Sequence, residues 1–126
     1  MNPYFSKDEA MAIMSIVIDV VLVDGRVDPG EDQYVGILAN KFGLSKQDVR
    51  TAQGLAPNQV APVLSRMSYE KRKWATTFMM GATMADGFTS RQECQIASMI
   101  MDNCNLVDWD YDPQKIGEAI KQWLNS

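Results

Sequence analysis

Two short stretches of the chain carry carboxylates at a spacing that could do chemistry. Asp24, Asp28 and Glu31 form one set and Asp86 and Glu93 the other, each around an Asp-Gly pair that precedes a helix start. Oxygen ligands converging from such a turn suit a hard divalent cation such as Ca²⁺ or Mg²⁺. Carboxylates paired inside a cleft would also license proton transfer. The plainer assignment is structural. Asp28 reads as an N-cap, Glu31 and Glu93 as the returning partners of capping boxes, and Asp24 and Asp86 as acceptors for turn amides. Asp24 and Asp86 each close a long helix, where free carbonyls make an acid unfavourable by about 0.3–1 kcal/mol. Either reading must supply something that compensates this twice.

The remaining composition narrows the chemistry. The 126 residues hold 12 Lys plus Arg against 16 Asp plus Glu, no His and two Cys. Without His, the commonest general base, zinc ligand and nucleophile partner are all missing. A net charge of −4 argues against a surface that neutralises nucleic-acid phosphates. One domain spanning 1–126 is expected, large enough to bury roughly 65–70% of its unfolded surface without disulfides or metal. Cys94 and Cys104 lie on one expected helix, roughly 15 Å apart along its axis, too far for a disulfide. Free, buried thiols suit a reducing compartment. The apolar run Met11 to Val23 is interrupted by Ser15 and Asp19 and is too short to span a bilayer. A cytoplasmic protein without a transmembrane segment is the expectation.

Helical periodicity dominates, so the fold class is all-α with about seven helices. Ser6 and Glu9 form a capping box that starts the first helix, which runs to about Asp24 and is apolar on nearly every face. Such a helix belongs in the centre. Pro29 opens a second helix to about Lys41, with Tyr34, Ile37, Leu38 and Phe42 inward, and Gly43 stops it. Ser45 caps a third helix to about Gln53. A fourth lies between Ala56 and Arg66 and starts at either Pro57 or Pro62. A fifth runs from Tyr69 to about Asp86 and is again apolar in its latter half. A sixth follows the Ser90/Glu93 capping box to about Asn103, with Ile96, Met99 and Ile100 inward. The last covers about 113–124.

Four other features have mainly structural readings. Asp19, inside the apolar run, must be exposed, hydrogen-bonded or paired, for instance with the 71–73 cluster, because burying it unpaired costs several kcal/mol. The run 108–112 opens like a calcium loop, but Pro113 and Ala119 stand where that loop needs Gly and Glu, so it reads as a connector capped by Asp112. Glu70-Lys71-Arg72-Lys73 reads as a solvated helix face. Met79, Met80, Met84, Met99 and Met101 have the spacing of core more than of a flexible binding groove.

The chain repeats itself. At one offset of 62 residues, Asp24-Gly25 meets Asp86-Gly87, Asp28 meets Ser90, Glu31 meets Glu93, Leu38 meets Ile100 and Leu44 meets Leu106. The halves, about 6–44 and 68–106, therefore read as two helical hairpins related by a pseudo-two-fold, their long helices buried, followed by a C-terminal helix. The segments 21–31 and 84–93 resemble the duplicated Ala-Asp-Gly, capping residue, Glu signature of the tellurite-resistance TerB-like domain family, related to the N-terminal domain of membrane-anchored DnaJ-like co-chaperones. Val23 replaces the usual Ala, and Ser90 leaves the second acidic set shorter. The resemblance implies an all-helical fold, a part in stress responses, and a divalent-cation site built from acids. Two functions follow as expectations. One is a non-enzymatic binding or scaffolding module that meets protein partners, including membrane-associated stress-response proteins. The alternative is a divalent-cation-binding protein with Asp24, Asp28, Glu31, Asp86 and Glu93 as ligands and Ca²⁺ or Mg²⁺ bound.

Overall fold

A computed structural model describes residues 4–23, 29–84, 91–107 and 113–125, with the side chains of Pro29, Glu31 and Pro113 excepted. Among these residues every regular element is a helix: α1 (Lys7–Leu22), α2 (Pro29–Phe42), α3 (Lys46–Gln53), α4 (Pro57–Ser65), α5 (Tyr69–Met84), α6 (Arg91–Cys104) and α7 (Pro113–Leu124). All seven expected helices are present, and the α4 boundary is decided. It starts at Pro57 and carries Pro62 inside. Its N-terminus has half a capping box, because Gln59 Oε1 accepts from the Ala56 amide at 2.8 Å while Ala56 has no oxygen to return.

The long helices are central for the reason their composition gives. In α1, Ala10, Ala12 to Val17 in unbroken sequence, Ile18, Val20 and Val21 are buried, and α2, α3, α4, α5 and α6 all pack on it. In α5, Ala75 to Met79 and Gly81 to Thr83 are buried, with α1, α2, α4, α6 and α7 around it. Buried threonines in α5 satisfy their hydroxyls on their own helix: Thr76 and Thr77 donate to the carbonyls of Arg72 and Lys73 at 3.1 and 3.0 Å.

The repeat holds at the level of backbone. α1 and α5 are both 16 residues long and α2 and α6 both 14, and both pairs of helices start and end 62 positions apart. Both shorter helices close in the same way. Gly43 and Asn105, again 62 apart, are left-handed at φ 75° and 54°. The next amides, Leu44 and Leu106, donate back to the carbonyls of Ala39 and Met101 at 2.9 and 3.0 Å. This is the Schellman closure, and Asn is the one residue besides Gly that adopts it readily. The helix starts correspond too. Ser6 Oγ accepts from the Glu9 amide and Ser68 Oγ from the Lys71 amide, each at 3.2 Å. Glu9 and Lys71 are themselves repeat mates, and they touch: Lys71 Nζ lies 2.9 Å from Glu9 Oε1. Mates in contact place the pseudo-two-fold axis beside them.

Two inward expectations need correction. Ile37 and Met99 are exposed, at 41% and 58%, whereas the next residues, Leu38 and Ile100, are buried. The two are repeat mates, so the error is the same one made twice: both sit a step beyond the buried stripe of their helix. Cys94 is likewise exposed, and only Cys104 is buried; both are free. In the run 70–73, Glu70 and Lys73 are exposed as expected, whereas Lys71 and Arg72 are half-buried, Lys71 pairing with Glu9 and Arg72 Nη1 donating to the Asn105 carbonyl at 2.8 Å.

The first-half side of the core is aromatic. Phe78 has Phe42 at 5.5 Å, Trp123 at 4.6 Å and Trp74 at 5.5 Å between ring centroids, with Phe5 at 6.2 Å. Beside this cluster, α2 comes down on α5 at Gly81. Tyr34 donates to the Phe78 carbonyl at 2.7 Å, and a Cβ at Gly81 would run into the Tyr34 hydroxyl and the Ile120 side chain. Burial pushes the Tyr34 phenol far above its ordinary value. Gly81→Ala sets a gain of about 1 kcal/mol in helix propensity against overpacking of typically 1–3 kcal/mol. The expected net result is a lower urea midpoint. Adding Tyr34→Phe should recover part of the loss, because it removes the atom that clashes first, so the pair should be non-additive in a double-mutant cycle.

Candidate functional site

The acids singled out by sequence flank the junctions from α1 to α2 and from α5 to α6. Asp24, Asp28 and Asp86, with the Ser90 cap and the 108–112 connector, lie outside the described residues. Glu31 occupies the third position of α2, and its side chain is also outside them. Glu93 occupies the third position of α6 and is 2% exposed. The equal helix bounds bring Glu31 and Glu93 to equivalent places, each in the first turn, where a carboxylate meets the positive end of its helix. Among the described residues no three His, Cys, Asp or Glu side chains gather as a metal would require. Glu93 is the one member of the five-acid set whose surroundings are described, and it is held inside the protein.

Other acids have specific structural employment. Glu9 Oε1 accepts from the Ser6 amide at 2.9 Å and from Lys71 Nζ at 2.9 Å, so one oxygen closes a helix start and ties it to the other half. Partial burial alone would raise its pKa, but the Lys71 and Ser6 bonds outweigh it and the carboxyl is held below its ordinary value. Asp48 is also lowered, first by the Ser45 amide, which donates to it at 3.0 Å, and then by Lys7 at 3.3 Å.

Asp19 behaves differently. It belongs to neither of these ion pairs, and Lys71 and Arg72 of the basic cluster proposed for it are engaged elsewhere. Its carboxyl sits at a cavity of about 160 Å³ between α1, α4 and α6, whose walls include Ile16, Val60, Ala61, Ile96, Ile100 and Cys104. Asp19 itself is exposed, one of the outcomes its position in the apolar run allowed, and the apolar walls on its inner side still raise its pKa by desolvation. Burial raises the Cys104 thiol as well, with the neighbouring Asp19 charge adding to it. Sequence reading found Asp19 but not the cavity. The signal was present in the repeat, because Asp19 is the mate of Gly81, the residue over which Tyr34 and Ile120 pack in the other half.

The most exposed apolar side chains near grooves are Tyr69 and Met99. Tyr69 borders an open groove of about 410 Å³ with Glu70, Lys73, Trp74, Thr77 and Ala119, where α7 lies along α5. A wider depression of about 540 Å³ runs between α2 and α3 and includes Asp32, Lys46 and Arg50. No helix among the described residues is long and apolar enough to cross a membrane.

Comparison with known proteins agrees with this architecture. Residues 1–54 match the family model described as tellurite resistance protein TerB. That stretch contains α1, α2 and α3 and the whole first acidic set, Asp24, Asp28 and Glu31. No curated protein matches the chain. Among solved structures, a protein of unknown function from Porphyromonas gingivalis W83 superposes with a TM-score of 0.73 at 22% identity, over 99% of this chain and 100% of that one. At that identity the likeness is one of fold. The first 54 residues are thus similar to the TerB family, and the whole chain has an all-α fold.

The opposite shifts of Glu9 and Asp19 give opposite pH dependences. The folded-state pKa of Glu9 is depressed below 4.5, so its stabilisation is present above that value and is lost as pH falls through the folded one. For Asp19 the folded value is raised above 3.8, so below 3.8 its charge costs nothing, and the cost appears as pH rises through the folded value. Glu9→Gln, which keeps the capping oxygen, should lower the urea midpoint at about pH 7. Asp19→Asn should raise it there, and its advantage should vanish at about pH 3. Equal midpoints for Asp19→Asn and the natural chain at both pH values would contradict the burial account.

Proposed function

We propose that this TerB-like chain is a non-enzymatic binding or scaffolding module of the stress-response type, working in the cytoplasm. Its partner surface is the acidic one formed around the two Asp-Gly turns, and its partners are proteins, membrane-associated ones included. The observation that carries the reading is the duplicated frame: helices of equal length recur 62 residues apart with connecting segments of equal length, and the TerB match spans the first of these segments.

The non-enzymatic part is supported by how the carboxylates are used. Glu9 and Asp48 each close a capping box and an ion pair, and the chain has no His to share proton transfer with the rest. Acids in the segments that join α1 to α2 and α5 to α6 are suited to meeting basic groups of a partner, where charge sets orientation and encounter rate more than raw affinity. The process, tellurite and general stress resistance, comes from the family likeness and not from this geometry.

The test compares the natural chain with the Asp24→Asn/Asp86→Asn double variant. Site-specific crosslinking in stressed cells should join the natural chain to a partner at the turns. The double variant, still helical by circular dichroism, should lose that product and should gain at higher salt no compensating contact. Unchanged crosslinking would remove the turn surface from the proposal. Calorimetric titration with Ca²⁺, Mg²⁺ and Mn²⁺ runs beside it. The binding-module reading expects no heat and no rise in melting temperature at about millimolar metal, whereas a rise that needs Asp24 and Asp86 would transfer the site to a cation.

A further inference from the structure

The bundle is filled unequally about its pseudo-two-fold axis. On one side α7 packs along α5, and Tyr34, Phe42 and Phe78 fill the space beside it, with Tyr34 and Ile120 reaching the bare backbone of Gly81. On the other side α4 packs on α1 and α6. The two closing helices are built alike. Counted from their first residues, Pro57 and Pro113, buried apolar side chains recur at the fourth, eighth and eleventh places: Val60, Leu64 and Met67 against Ile116, Ile120 and Trp123.

The residues that fill the first side have smaller mates on the second. At the same offset of 62, Tyr34 becomes Ile96, Phe42 becomes Cys104, Phe78 becomes Ile16, and Gly81 becomes Asp19. Those four mates all line the cavity of about 160 Å³. The cavity is therefore the volume that three rings occupy in the other half, and a carboxylate stands where that half has only a glycine. The cavity opens to solvent at Asp19, Met99 and Asn103, and its volume is that of a benzene-sized group.

We propose that this cavity binds a primary alkyl- or arylalkylammonium group, its apolar stem between Ile16, Ile96 and Val60 and its ammonium at the Asp19 carboxylate. The site is separate from the acidic turns and does not depend on their assignment. Charge complementarity selects the class. A neutral apolar guest would desolvate Asp19 further without pairing it, and an anion would be repelled. A divalent cation needs several oxygen ligands, and among the described residues the walls offer one carboxylate. A single positive charge on an apolar body satisfies both parts of the cavity, with the Ser15 hydroxyl and the Asn103 side chain at its wall as further polar groups. Among the described residues, the titratable groups lining it are Asp19 from α1 and Cys104 from α6, and α4 contributes none. Affinity should therefore fall when Asp19 is protonated, and its raised pKa brings that loss closer to neutral pH than for an ordinary aspartate.

The chemistry could be met by a free amine or by a lysine side chain of a partner, and the probes distinguish them. Benzylammonium, Nα-acetyl-lysine methylamide and benzyl alcohol are titrated into the full chain carrying ¹³C-methyl labels on Met and Ile. The expected result is a saturating shift of the Met99 and Ile100 methyl signals with at least one amine, weakened at least about tenfold by Asp19→Asn, which corresponds to about 1.4 kcal/mol. Benzyl alcohol should bind more weakly than benzylammonium by a similar factor. Tighter binding of the lysine derivative assigns the site to a lysine side chain, and tighter binding of benzylammonium to a free amine; each supports the proposal. Ala61→Phe, which fills the cavity from α4 and leaves Asp19 in place, should abolish the shift. No saturating shift with either amine, or equal affinity in Asp19→Asn, would overturn it.

Discussion

A helix buried along most of its length has little solvent face on which to dispose of its polar groups, and this fold packs two of them, α1 and α5, against each other. Everything else follows from serving α1 and α5. Five helices pack on α1 and five on α5, and the polar groups of both must be satisfied inside the bundle or at its rim. The buried threonines of α5 turn their hydroxyls back onto their own helix. Where α2 needs to lie close, α5 gives up a side chain at Gly81. The starts of both long helices are closed by serines and joined by one carboxylate oxygen of Glu9.

How much of this was legible in the sequence depended on whether the signal was local. The capping boxes of α1 and α3 are written within four residues, and Ser6 with Glu9 and Ser45 with Asp48 make the bonds their spacing implies. The αL closure at Gly43 was equally local. Its counterpart at Asn105 was not marked by a glycine and became recognisable through the repeat. Ile37 and Met99 were misassigned because an apolar residue beside a buried stripe has the same sequence signature as one inside it, and only the neighbouring helices decide where the stripe ends. The partners of Lys71 and Arg72 lie 62 and 33 residues away, beyond any local rule.

The candidate site divides along the same line. Types and spacings named the turn acids, and the frame that holds them is confirmed as a duplicated pair of hairpins with Glu31 and Glu93 in equivalent first turns. The cavity at Asp19 could not be read from any one stretch, because its walls come from three helices. It could be read from the differences between halves: a repeat that replaces Tyr, Phe and Phe by Ile, Cys and Ile must leave volume unless something else fills it.

The contact between Glu9 and Lys71 has a consequence for how such a molecule can be assembled. In a symmetric dimer of two identical half-length chains, a residue beside the two-fold axis meets its own copy, so a glutamate there would face a glutamate and a lysine a lysine, each pair repelling. Joining the halves in one polypeptide frees the two positions to differ. The chain uses that freedom at the helix starts, where unlike charges lie 2.9 Å apart. Covalent linkage thereby permits an attraction across the axis that perfect symmetry forbids.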